Sequence, residues 1–177
     1  MLDVGCSRVL LSSPLPMNTF ICAAEKKAKT KARRPASRVE VRESGVHGRG
    51  VYATRAIAKG ARIIEYTGKR VLWEEAPNDP DNPHTFNFGL DNGNVINPEI
   101  GGNEARWINH SCDPNCEAIE EEDERIFIYA LRKVQPGEEL FYDYAMELDE
   151  PITKELEIEH ACHCGSSNCR GTMLAIK

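Results

Sequence analysis

Ala105-Arg-Trp-Ile-Asn109-His110-Ser111-Cys112-Asp113-Pro114-Asn115-Cys116 is the stretch on which the reading of this chain turns. It opens as an apolar turn (Ala105, Trp107, Ile108) and passes at once into polar residues punctuated by Pro114. A short polar run pressed against apolar sequence implies buried side chains that are hydrogen-bonded, because an orphaned buried group costs about 1–3 kcal/mol. Taken alone, His110 reads as a hydrogen-bonding residue ahead of a catalytic one. Asn103 stands where a helical turn over 104–108 needs its N-cap.

Outward from this stretch the sequence breaks into short β-rich runs separated by Gly, Pro, Asn and Asp. Runs at 39–42, 50–53, 62–66, 85–90, 94–97, 125–131 and 139–142 predict strands. The run at 125–131, RIFIYAL, is apolar on both faces and is expected at the centre of a sheet. Five consecutive acids at 120–124 predict a solvated hairpin loop, and 71–75 a helical turn. No internal repeat is visible. The expected fold class is mostly β with little helix, in one domain with some tail, since 177 residues allow little more.

With 41% hydrophobic and 28% charged residues the composition is that of a soluble globular protein. No apolar run approaches the roughly 18 residues of a membrane span. Val9-Leu10-Leu11 is too short for a signal-peptide core, and Pro14 and Pro16 break the sequence just after it. The expectation is a soluble intracellular protein, with cytoplasmic, nuclear and exported-effector settings undistinguished. The net charge of −6 conceals an asymmetry. Residues 1–38 carry eight Lys/Arg against Asp3 and Glu25, leaving 14 basic and 26 acidic residues for the rest. Residues 1–37 are expected as a disordered basic tail, 38–145 as the body, and 146–177 as an acidic linker leading into a cysteine-rich segment. The acidic body disfavours nucleic acid, except through the tail, and suits a Lys/Arg-rich partner.

Seven cysteines, an odd number with no secretory signal, point to metal in a reducing compartment ahead of a disulfide framework. Cys162-His-Cys164-Gly-Ser-Ser-Asn-Cys169 is C-x-C-x4-C, and its thiolates suit a tetrahedral zinc ion. Three ligands do not close such a site. Cys112 and Cys116 are the candidates for the fourth, and His163 would have to fold back onto the same ion.

Gly45-Val-His47-Gly48-Arg49-Gly50-Val-Tyr-Ala53 places glycines where backbone can approach a ligand closely, but it has neither the P-loop nor the dinucleotide pattern. In Glu138-Glu-Leu-Phe-Tyr142-Asp-Tyr144 the two tyrosines share a strand face. Such a pair is either sheet packing or one wall of an aromatic slot for an alkyl amine.

Together and in this order, these pieces resemble a SET-domain protein lysine methyltransferase of the stand-alone SET plus post-SET type. The motifs are GVHGRGVYA (45–53), EYTG (65–68), TFNFGLD (85–91), ARWINHSCDPNC (105–116), EELFYDY (138–144) and CHCGSSNCRG (162–171), and they span about residues 38–177. The resemblance implies small curved β-sheets with a knot-like threaded C-terminal part, closed by a zinc-bound post-SET segment. It implies that His47, Gly48, Arg49 and Gly50 cradle S-adenosylmethionine and that Asn109 and His110 hold its two ends, with Phe86 nearby where the family often has Tyr. It implies Tyr144 as the catalytic tyrosine, Tyr66 as a second phenol of the transfer channel, and Tyr142 at the position whose Tyr or Phe identity sets the number of methyls added. It implies Cys112, Cys162, Cys164 and Cys169 as zinc ligands, leaving Cys116 outside.

The implied function is methyl transfer to a lysine side chain in a basic protein, mainly as monomethylation. Histone, histone-like and ribosomal substrates and the chain's own N-terminal tail are all compatible. In-line displacement at a sulfonium needs orientation, a dry channel and a neutral amine. The competing expectation is a catalytically silent SET-like module that binds basic peptides.

Overall fold

The computed structural model describes residues 37–77, 86–148 and 150–175. In chain order its strands are β1 (Val39–Glu43), β2 (Arg49–Ala53), β3 (Arg62–Tyr66), β4 (Lys69–Leu72), β5 (Phe88–Gly89), β6 (Asn94–Asn97), β7 (Asn109–His110), β8 (Cys116–Glu120), β9 (Ile126–Ala130) and β10 (Phe141–Tyr142). One short helix, α1 (Lys154–Glu159), and two 3-10 turns, Trp73–Glu75 and Glu104–Trp107, complete the described elements. The expected tail at 1–37 lies outside the described residues apart from Ser37.

The strands form four small sheets. β9 is central in the order β3-β9-β8, antiparallel to both neighbours. Ile126 and Ile128 on one face are 1% and 0% exposed and Phe127 on the other is 4% exposed, each burial worth about 1.5–3 kcal/mol, which is why this run is apolar on both faces. A second sheet has the order β4-β6-β5, and β1 pairs with β2 as a hairpin in which Val41 faces Val51. The fourth pairing is parallel: Phe141 and Tyr142 of β10 lie beside Asn109 and His110 of β7. It brings the Asn-His-Ser-Cys stretch alongside the late tyrosines.

Several elements depart from the sequence-based expectation. The turn expected at 71–75 is only Trp73–Glu75, because Val71 and Leu72 pair with Val95 and Asn94 in β4. In the run at 85–90 only Phe88–Gly89 is strand among the described residues. The late strand is shortened to Phe141–Tyr142, although a bridge between Tyr52 and Glu139 and the bond from Leu140 N to Val51 O continue the tie to β2. β7 was not expected, and β8 only as the unbounded first arm of the hairpin whose loop was placed at 120–124. β7 is polar and is a strand only because β10 lies beside it, while Glu120 ends β8 and the loop of the β8–β9 hairpin begins after it. α1 was also not expected. Its N-cap is Thr153, whose hydroxyl accepts from Leu156 N at 3.3 Å.

The C-terminal segment is fastened to the body at the bridge of Met146 with Leu174, and Ala161 bridges Thr172 within it. Leu174 is fully buried there. No helix among the described residues is long and apolar enough to cross a membrane.

Candidate active site

The turn Glu104–Trp107 feeds the site. Asn103 caps it, its side chain accepting from Ala105 N at 3.2 Å, while its amide donates to Glu65 O on β3 at 2.7 Å. The next three residues then serve three different neighbours. Ile108 O accepts the Tyr144 hydroxyl at 2.9 Å. Asn109 Nδ2 reaches Arg49 O at 2.8 Å, Glu139 Oε1 at 3.1 Å and His47 O at 3.2 Å. His110 Nδ1 accepts from Tyr144 N at 3.1 Å. That bond leaves the proton on Nε2, which faces Cys112 Sγ at 3.3 Å. Burial lowers the His110 pKa, against Asp143 and assisted by Arg170, so the ring is held neutral.

Asn115 shows why this polar run can be buried. At 2% exposure its amide donates to Glu139 O (2.7 Å) and Glu138 Oε1 (3.1 Å), and its oxygen accepts from Phe141 N (2.9 Å). It stitches the stretch to the tyrosine strand.

The glycine loop lies against Asn109. Ser44 Oγ accepts from Val46 N at 3.0 Å and His47 N at 3.4 Å, and Ser44 N donates to Gly48 O. Gly48 has φ 48°, a left-handed turn that glycine adopts without strain, and a Cβ placed on it would meet no atom within 4 Å. Gly50 is constrained differently: a Cβ there would collide with Glu139 Oε1. That residue's other carboxylate oxygen, Oε2, accepts from Tyr52 OH at 2.8 Å. Glu139 therefore ties Asn109 to the glycine loop, a role that the sequence reading missed; its signal was the second acid of the EELFYDY run. Arg49 stacks on Trp107 at 4.6 Å, Arg106 lies 4.5 Å from the same ring, and Phe86 meets it edge-on at 4.9 Å.

The three candidate phenols come together. Ring centroids of Tyr142 and Tyr144 are 4.9 Å apart, and Phe88 links Tyr142 (6.2 Å) to Tyr66 (5.2 Å). Tyr66 OH donates to Phe86 O. Burial, chiefly, raises all three phenol pKa values, with repulsion from neighbouring phenols adding for Tyr66 and Tyr142. The hydroxyls are neutral donors throughout the physiological range.

The four candidate zinc-binding cysteines also converge. Cys112, Cys162, Cys164 and Cys169 place their Sγ atoms within 4.8 Å of one another. The Cys112–Cys162 separation of 3.7 Å matches the roughly 3.8 Å edge of a tetrahedron with 2.3 Å zinc–sulfur bonds. Backbone N–H groups of Cys164, Arg170 and Gly171 point at Cys162, Cys112 and Cys169 Sγ, each at 3.4 Å, and would stabilise thiolates. The donor set fits zinc. Cys116 is fully buried in β8, where burial pushes its thiol up to about 12, and it lies outside the group.

Comparison with known proteins agrees with this geometry. Residues 48–145, over half of the chain, match the SET domain family. Histone-lysine N-methyltransferase trr of Drosophila melanogaster is 39% identical over 143 residues, 76% of this chain and 6% of the relative. Histone-lysine N-methyltransferase 2B of Homo sapiens is 37% identical over 140 residues, 75% of this chain and 5% of the relative. Histone-lysine N-methyltransferase trithorax of Drosophila virilis is 38% identical over 141 residues, covering 75% and 4%. The chain thus spans only a small part of the length of these relatives. On the matched residues, the small sheets and the glycine-loop, Asn-His-Ser-Cys and tyrosine constellation, the chain belongs to the SET-domain family.

Proposed function

We propose that this chain is a protein-lysine N-methyltransferase that uses S-adenosylmethionine to methylate a lysine in a basic protein, mainly to the monomethyl state. The observation that carries the reading is the collar of Tyr66, Tyr142 and Tyr144 set against the Asn109 cradle. Names of the relatives support the acceptor class, and the acidic body favours a Lys/Arg-rich substrate.

His47, Gly48, Arg49, Gly50, Asn109, His110 and Glu139 would hold the cofactor, with Phe86 and Trp107 beside them. When bound it supplies an electrophilic methyl carbon on a sulfonium. The aromatic collar excludes water and aligns the lysine amine, with Tyr144 fixed through Ile108 O. None of the three phenols can act as base at neutral pH, because burial keeps each protonated. The amine must lose its proton to water before attack. The rate should therefore climb from pH 7 towards about pH 9 as lysine deprotonates. The four cysteines would hold zinc as a cross-link between the post-SET segment and the body, with no part in the chemistry.

The test is incubation of the full chain with isotope-labelled cofactor and separate histone, histone-like and ribosomal protein preparations, read by mass spectrometry. Monomethyl-lysine on a basic protein, lost in Tyr144→Phe, is the expected result. Tight peptide binding with no methyl-lysine on any preparation, or on residues 26–31 of the chain itself, would place it among silent SET-like modules instead.

A further inference from the structure

Between the tyrosine collar and the cysteine group lies an ion pair that the proposed mechanism does not use. Arg170 follows Cys169 directly, and its N–H points at Cys112 Sγ. Its guanidinium grips both oxygens of Asp143, Nη1 to Oδ2 at 2.5 Å and Nη2 to Oδ1 at 2.8 Å. The pair is partly buried, with side chains 26% and 33% exposed, and Arg170 Nε is enclosed with no partner. A guanidinium enclosed in this way is held by what its other nitrogens grip. Asp143 sits between Tyr142 and Tyr144. Its Oδ1 also accepts from Ala145 N at 3.0 Å, and Ala145 has φ 43°, a left-handed conformation that a residue with a Cβ keeps only when something holds it. The preceding amide, Tyr144 N, is held by His110, which contacts Cys112. The two amides that set the course of the chain through Tyr144 are thus both fastened to groups that touch the cysteine segment.

We propose that Asp143 and Arg170 form a positioning pair for Tyr144, so that closing the four-cysteine group around its metal sets the direction of the Tyr144 hydroxyl. Zinc binding places Arg170, Arg170 clamps Asp143, and Asp143 holds the turn at Ala145. Because coupling is reciprocal, loosening the clamp also weakens zinc binding. The inference rests on the proposed function only in treating Tyr144 as the transfer tyrosine.

The test compares the zinc-loaded full chain with Arg170→Gln and Arg170→Lys. Zinc per chain and zinc affinity are read with a chromophoric chelator, and amide exchange at Tyr144 and Ala145 by NMR. In Arg170→Gln zinc still binds at saturation, with an affinity lower by about tenfold or more. The Tyr144 and Ala145 amides exchange about tenfold faster, and those of β9 are unchanged. Arg170→Lys, which keeps the charge but not the fork, falls between, and it serves if the Gln variant does not fold. Removing zinc from the unmodified chain speeds the same two amides. Unchanged exchange at both amides in zinc-loaded Arg170→Lys and Arg170→Gln would overturn the clamp. Faster exchange with an unchanged kcat on peptide would overturn its role in positioning. If the unmodified chain transfers no methyl group, the exchange data still decide the clamp, so the two readings fail separately.

Discussion

At the scale of single residues, the site depends on side chains with two commitments each. Glu139 serves Asn109 and Tyr52, and its carboxylate occupies the place that a Cβ on Gly50 would take. Gly50→Ala should displace that carboxylate and leave Asn109 mispaired. We expect cofactor affinity to fall by about tenfold or more, measured by calorimetry, with the β-rich circular dichroism spectrum retained. Tyr142 is 8% exposed and lies against Tyr144 and Phe88. In the proposed channel its hydroxyl takes up room beside the amine that a second methyl group would need. Tyr142→Phe should shift the product on a peptide from mono- to di- or trimethyl-lysine, and mass spectra of a time course will show it. Predominant trimethylation by the unmodified chain would contradict this role.

At the scale of elements, strand β3, which carries Tyr66, is fixed by an ion pair to β9's entry. Arg125 forks onto both oxygens of Glu65, at 2.9 and 2.6 Å, one residue before Tyr66. The Arg125 hydrogen bond, acting against desolvation, lowers the Glu65 pKa. A carboxyl held below its unfolded value stabilises the fold only while it is ionised. The contribution is therefore complete above the unfolded value of about 4.3 and disappears as pH falls through the lower folded value. Both side chains are solvent-accessible, so the effect is small. Glu65→Gln should lower Tm slightly at pH 7, and the difference should shrink as pH falls below about 4.3 and the carboxyl becomes protonated, read by thermal melts from pH 7 downwards.

At the scale of the whole molecule, the cysteine group joins two distant parts of the chain. Three of its cysteines lie within eight residues of one another and the fourth, Cys112, lies on the stretch that also places Asn109 against the glycine loop and His110 against Tyr144. Metal loss should therefore loosen residues 162–175 while the β3-β9-β8 core persists. Cys164→Ser should lose zinc, become protease-sensitive in that segment and lose activity. Cys116→Ser should retain zinc, at the stability cost of a hydroxyl in a filled core position. Limited proteolysis with metal analysis distinguishes the two variants.

Much of this was legible in the chain itself. The glycine loop, the Asn-His-Ser-Cys stretch, the paired tyrosines and the C-x-C-x4-C spacing each require a residue type at a fixed separation, so local sequence records them. The central position of β9 was legible for the same reason, since only burial on both faces explains an uninterrupted apolar run. Other features have no local signature. β7 is a strand because β10 lies parallel to it, and Val71 joins β4 because β6 offers a partner. The residue spacing left Cys112 and Cys116 equivalent as a fourth ligand. The backbone decided between them by turning Cys116 into the core and Cys112 towards the tail. Glu139, Asn115 and the Asp143–Arg170 fork act only across pairings formed by residues remote in sequence. Periodicity and spacing are properties of the chain, whereas which polar groups meet is settled by the packing that brings distant strands into register.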